Sequence, residues 1–308
     1  MVRMRAIDAL AAVVLALAAA PAAAQAPVEA RGLEGVRESV VARIRESGAT
    51  SVGVYARVLG RADSLVIDGD ARFHAASTMK VPVMVQVFRD ADARRLGLGE
   101  RIAVVNRFAS LVDGSPYALD AADDSDSSLY RLVGRRARVR ELVELMITVS
   151  SNLATNILIE RVGAARAQAT ARSLGADAIE VRRGVEDGKA FRAGINNTTS
   201  ARDLGALFTA LGEGRAASPR ATREMLAILE RQRFNEGIPA GLPAGTRVAH
   251  KTGWITATHH DGGVVTLPDG RRFVLVVLTR GIPEERDSAR LMADIARLVA
   301  GAVGAAGS

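Results

Sequence analysis

The stretch "FHAASTMKVPV", Phe73 to Val83, governs how the rest of the chain is read, because it sets a serine three positions before a lysine at the start of an apolar run. Residues three apart on a helix share a face, so the amine of Lys80 can reach the hydroxyl of Ser77. A serine hydroxyl is a poor nucleophile until a neighbouring base takes its proton. A helix N-terminus helps, since it disfavours positive charge on the amine and offers backbone N–H groups to a developing oxyanion. The bland alternative is a helix cap followed by a solvated charge. Pro82 has no N–H, so the carbonyl of Thr78 loses its helical partner and a distorted or solvated first turn is expected.

Lysine usage weighs against the bland reading. Lysine occurs only at Lys80, Lys189 and Lys251 among 41 basic residues, the rest being arginine. A lysine amine can lose its proton when buried and a guanidinium cannot, so this chain keeps lysine where arginine will not serve. Two of these lysines fall in short motifs, "STMK" at 77 to 80 and "KTG" at 251 to 253, with "SSN" at 150 to 152 between them. Each motif is weak alone; the conjunction is much stronger. Lys189 stands close to Glu186 in sequence and can pair with it.

Outward from the motifs, the chain begins and ends in strands. Val52, Val54, Ala56 and Val58 alternate in "SVGVYARVL", and "SLVI" at 64 to 67 follows a polar turn, so a β-hairpin is expected. "TRVAHKTGW", "GGVVTL" and "RRFVLVVLTR" read as strands near the other end, with "PDG" at 268 to 270 as a hairpin turn. Between them "VRELVELMITVSSNLATNILIERVG" and "SARDLGALFTALGEG" carry helical spacings, and "PEERDSARLMADIARLVAG" is amphipathic with Met292, Ile295 and Val299 on one side. The pattern predicts an α/β fold of the α+β type: a five-stranded antiparallel sheet from both chain ends, flanked by terminal helices, plus an all-helical lobe. The cleft between sheet and lobe is the natural site. "SSN" falls where one helical pattern gives way to the next, so Ser150 and Asn152 line a short connection facing that cleft. Strand alternation points Lys251 and Gly253 one way and Thr252 the other. "ALDAADDSDSS" at 118 to 128 reads as a polar insertion that loops out.

Composition narrows the function classes. The 308 residues are 48% hydrophobic but 4% aromatic, so alanine, valine and leucine must build the core. There is no cysteine, hence no disulfide and no thiol chemistry. The net charge of +7 is interspersed with acidic residues apart from "RRARVR" at 135 to 140, and no stacking aromatics accompany it, which argues against nucleic acid. The first 26 residues, with Arg3 and Arg5, an apolar run from Ala9 to Ala20 and a small-residue ending at Ala26, read as a secretory signal peptide. The expectation is a secreted or periplasmic protein without a membrane anchor. It would be a single catalytic domain over 27 to 308, with α/β parts at about 27 to 75 and 220 to 308 and a helical lobe at about 76 to 219.

With Ser-x-x-Lys, Ser-x-Asn and Lys-Thr-Gly in this order and spacing, the chain resembles class A serine β-lactamases and penicillin-binding proteins over nearly its whole mature length. The resemblance implies that Ser77 is acylated, Lys80 is its partner, Ser150 relays a proton to the leaving nitrogen, and Asn152 holds the substrate amide. Lys251 and Thr252, with Gly253 beside them, would bind a carboxylate. The backbone N–H groups of Ser77 and Trp254 would form the oxyanion hole. Class A enzymes also carry a glutamate on a loop before a helix that opens with two threonines. Here "RRGVEDGKAFRAGINNTTSARDL" offers Glu186 upstream of Thr198 and Thr199 as the base that activates water, with Asp187 as an alternative and a plain loop carboxylate as another.

Departures bear on the subtype. Ser151 stands where class A enzymes usually carry Asp, arginine lies three rather than two positions before Glu186, and no Leu-Asn pair follows. The arginine expected on the strand after Lys-Thr-Gly is missing, and His259, His260 and Asp261 occupy that region. Adjacent strand residues face opposite ways, so this trio is a poor metal cluster. Asn156 reads as a brace for a neighbouring loop, and His74 as a wall residue. The resemblance implies a monomer, needing no cofactor and no metal, that hydrolyses a small-molecule β-lactam. The alternatives are a D,D-peptidase on peptidoglycan peptides, favoured by Ser151 and the irregular glutamate loop, and a non-hydrolytic sensor domain, disfavoured by intact Ser77, Lys80 and Lys251.

Overall fold

The run Phe273–Leu278 explains why the sheet reads as it does. All of these residues are buried in one strand. Phe273, Leu275 and Val277 join one core with Val54, Leu291, Ile295 and Val299. Val274, Val276 and Leu278 join another with Tyr55, Leu204, Phe208 and the helical lobe. A strand covered on both faces loses the polar half of its alternation, which is what the sequence shows.

In a computed structural model that describes residues 32–305, the main strands are β1 (Ser51–Val58), β2 (Ser64–Ile67), β3 (Arg247–Ile255), β4 (Thr258–Thr266) and β5 (Arg272–Arg280). They form one antiparallel sheet in the order β2-β1-β5-β4-β3. Strands from the two chain ends therefore meet at β1 and β5, and β3 with its "KTG" becomes an edge. The secretory signal expected at residues 1 to 26, with its cleavage point, lies outside the described residues.

Two helices cover one sheet face, α1 (Arg37–Glu46) and the terminal helix, whose buried Leu291, Met292, Ile295 and Val299 form a helical stripe. Between them in sequence lie α2 (Lys80–Asp92), α3 (Val139–Thr148), α4 (Asn152–Val162), α5 (Ala164–Arg172), α6 (Gly188–Arg192), α7 (Ala201–Gly212) and α8 (Pro219–Leu229), the terminal helix being α9 (Glu285–Ala305). Ser200 and Ser218 cap α7 and α8 by accepting from Asp203 and Ala221 N–H groups. α7 lays Leu204, Leu207 and Phe208 on the second sheet face, α8 packs against β3, and α2 to α5 pack against one another. Each such side chain contributes about 1.5–3 kcal/mol by leaving water. α9 approaches the turn Ile238–Gly241 so closely that a Cβ on Gly241 would lie 1.8 Å from the Ala293 carbonyl, so only glycine fits there.

One local expectation, a distorted first turn, holds, and another changes. The turn before α2 is a tight 3₁₀ turn over Ala76–Met79, in which the Lys80 N–H serves the carbonyls of Ser77 and Thr78. That contact replaces the one Pro82 cannot supply, and Ser77 sits inside the turn rather than at its cap. The acidic segment at 118 to 128 does not loop out: Asp124 turns inward onto the start of α4, where backbone N–H groups await an acceptor.

Candidate active site

Ser77 owes its position to three constraints. Ala76 before it has φ +45°, a left-handed conformation that is strained for a residue with a Cβ. The Ala76 N–H donates to His74 Nδ1 at 3.0 Å, and the Ala75 N–H donates to the Asn197 carbonyl at 2.9 Å, which hold that kink. From the other side β3 presses Gly253 against the turn: a Cβ there would stand 2.9 Å from the Ser77 nitrogen and 3.0 Å from that of Thr78. Only a glycine lets the strand edge cross Ser77 so closely.

Lys80 is fully buried, and its amine donates to the Ser150 carbonyl at 2.5 Å, Ser150 Oγ at 3.1 Å and Asn152 Oδ1 at 2.9 Å. Those bonds use the three donors of an ammonium and turn it towards the "SSN" connection rather than towards Ser77. Burial pulls its pKa down from 10.5 to about 7, against the opposing pull of the Asp124 and Glu186 carboxylates. Lys251 reaches the same hydroxyl from β3, 3.0 Å from Ser150 Oγ and 2.7 Å from the Thr252 carbonyl. Burial, then the charge of Lys80, push it well below the ordinary lysine range. One hydroxyl between two amines accepts from one that is protonated and donates to one that is not, so a hydroxyl placed like that of Ser150 can pass a proton either way. Ser150 is itself held at φ +59° in the break between α3 and α4.

Asn152 continues the chain outward, its Nδ2 donating to Glu186 Oε1 at 3.3 Å. Glu186 is exposed, at φ +61°, on a loop braced on both sides. Asn156 grips the preceding Val185 by accepting from its N–H at 2.7 Å and donating to its carbonyl at 3.0 Å, the bracing role its sequence position suggests. Asn197 holds the backbone of Arg182 and Arg183, and the buried Arg183 guanidinium donates to the carbonyls of Gly184 and Ile195. Asp187, the alternative carboxylate, has its oxygens engaged elsewhere: it caps α6 and accepts from Ser110 Oγ and the Leu111 N–H. Lys189 does not pair with Glu186; its amine meets Asp113 at 2.7 Å and Ser115 at 2.6 Å.

These groups open onto a cleft of about 410 Å³ lined by His74, Ser77, Asn152, Glu186, Phe191 and Trp254 among others. Trp254 is 50% exposed and Phe191 54%, so apolar ring faces flank its mouth. Thr252 lies instead beside a small adjoining hollow with Glu236 and His259. His259 bonds Ser288 Oγ through Nδ1 at 2.7 Å, His260 bonds the His74 carbonyl through Nε2 at 2.8 Å, and Asp261 bonds His250 at 2.8 Å. Each of the trio thus has its own protein partner, and His260 points to the opposite face of β4 from His259 and Asp261. Sequence reasoning missed Asp124, Arg183, Asn197 and Phe191, which occur in stretches without periodicity; only "NN" and "RR" flanking the glutamate loop hinted at two of them.

Comparison with known proteins matches residues 36–303 to the Beta-lactamase enzyme family. A β-lactamase of Streptomyces albus G is 30% identical over 267 residues, covering 84% of this chain and 82% of its own. Among solved structures, PBP-A superposes with a TM-score of 0.76 at 31% identity, covering 89% of this chain and 97% of that one. A β-lactamase from Sphaerobacter thermophilus superposes with a TM-score of 0.73 at 31% identity, covering 88% and 97%.

Proposed function

Because the chain belongs to the β-lactamase enzyme family, we propose that it is an exported serine hydrolase that opens the β-lactam amide through an acyl-Ser77 intermediate. The observation that carries this reading is the buried Ser150 hydroxyl held between the amines of Lys80 and Lys251, with Asn152 joining Lys80 to the Glu186 that lines the cleft beside Ser77. Lys251 offers a cation to the substrate carboxylate, whose arrival favours its protonated form. Lys80, as the free amine, takes the Ser77 proton while Oγ attacks the lactam carbonyl. The N–H groups of Ser77 and Trp254 receive the oxyanion. As the C–N bond breaks, the proton passes through Ser150 to the departing nitrogen, leaving an ester on Ser77. Glu186 then takes a proton from a water that attacks the ester, and the Ser77 oxygen leaves with a proton. The bracing around Asn156 and Asn197 supports that role for Glu186 by fixing its backbone. No step calls for a cofactor. The signal-like segment at 1 to 26 supports export, with one catalytic domain following it.

A second reading is kept by one observation: Glu186 is exposed and, among the described residues, its carboxylate accepts a single hydrogen bond, at 3.3 Å. A glutamate too loosely held to direct water would leave a D,D-peptidase that penicillin acylates and blocks. Following loss of the lactam absorbance of benzylpenicillin separates the two. Steady turnover that disappears in Ser77→Ala is expected; a single-turnover stop with release of D-alanine from a peptidoglycan peptide would favour the peptidase. No reaction with either compound would sink both.

A further inference from the structure

We propose that Asp124 is a positioning residue of the catalytic centre, supplying from a distant loop the carboxylate that Ser151 does not provide within the "SSN" motif; this rests on the hydrolase reading above. The start of α4 carries backbone donors that need an acceptor. Ser151, its cap, accepts only from the Ala154 N–H, at 3.3 Å. The Asn152 N–H donates to both oxygens of Asp124 at 2.9 Å, and the Leu153 N–H donates to Oδ2 at 2.9 Å. The Tyr130 hydroxyl donates to the same Oδ2 at 2.9 Å, and the Ser151 hydroxyl approaches it at 3.5 Å. Burial first, and then the Asp124 charge, push the Tyr130 phenol up, so it stays a donor. A carboxylate with this many donors at a helix N-terminus is held firmly in place.

What it holds is the backbone of Asn152, whose side chain bonds both Lys80 and Glu186. Shifting that residue moves the amide that links the two groups assigned to proton transfer. Asp124 also acts by charge. The groups that bear on Lys80 are Asp124 from the 118–128 segment, Glu186 from its loop and Lys251 from β3; the two carboxylates raise its pKa and burial lowers it. Removing the Asp124 charge therefore lets the Lys80 pKa fall further. The acidic limb of kcat/KM, where the free amine appears, then moves to lower pH.

The test measures kcat/KM for benzylpenicillin against pH in the wild-type chain, Asp124→Ala, Asp124→Asn and the double variant Asp124→Ala with Ser151→Asp. Asp124→Ala is expected to lose about tenfold to a hundredfold, the scale of a misplaced catalytic group, and to shift its acidic limb to lower pH. Restoring a carboxylate at position 151 should recover both. Asp124→Asn, nearly isosteric, keeps an acceptor and should shift the limb with a smaller loss, which preserves the test where the alanine variant does not fold. An unchanged profile, a uniform scaling with no movement of the limb, or a double variant no better than Asp124→Ala would overturn the proposal. Failure of the functional reading is distinguishable, because the wild-type chain would then not turn over at all.

Discussion

Lys80 shows how burial brings the proton of a common cation within reach of neutral pH, as the proposed role of base requires. Its pKa of about 7 means that the free amine predominates above neutral pH and the ammonium below it. Activity limited by this base should rise through pH 7 and level off above, and kcat/KM of the wild-type chain measured from pH 5 to 9 should follow that curve. Lys80→Arg cannot lose its proton, and should cost about 10²–10⁴-fold in acylation rate while Tm reports a folded protein. A near-wild-type acylation rate in that variant would take the base away from position 80. The scarcity of lysine made this residue legible, but not its orientation. Spacing alone pairs Lys80 with Ser77. A buried ammonium, however, needs three acceptors, and the break between α3 and α4 provides them.

At the scale of elements, the placing of Ser77 depends on how closely β3 passes the Ala76–Met79 turn. Gly253→Ala would set a Cβ 2.9 Å from the Ser77 nitrogen, against backbone that cannot swing aside. Overpacking of this kind costs about 1–3 kcal/mol. Because the shift falls on the Ser77 N–H, one of the two proposed oxyanion donors, we expect acylation to slow by about 10²–10³-fold, read by stopped-flow absorbance, with unfolding in urea giving the stability loss. The elements themselves were largely readable: the five strands and the α3–α4 break follow from alternation, helical periodicity and turn residues. The inward turn of Asp124 was not, since its donors lie 28 and 29 residues further along and nothing periodic marks the loop. The same holds for Asn197, which braces the backbone of Arg182 and Arg183 from across a loop.

At the scale of the whole molecule, the sheet separates stability from chemistry. α9 and α1 cover the face away from the cleft, so Leu291→Ala should lower unfolding free energy by about 2–5 kcal/mol and leave kcat/KM of the folded protein unchanged; a matching fall in kcat/KM would show that α9 shapes the site. The lobe and the edge strand meet where Ser77, Ser150, Glu186 and Lys251 converge from four separate stretches of chain. The division of labour between an acylation centre and a water-activating loop is therefore the central claim, and intact mass spectrometry of Glu186→Gln mixed with benzylpenicillin tests it most directly. The account predicts that this variant accumulates one penicilloyl group on Ser77 for far longer than the wild-type chain, with acylation itself little slowed. A variant that turns over at the wild-type rate, or one that never carries the adduct, would contradict it.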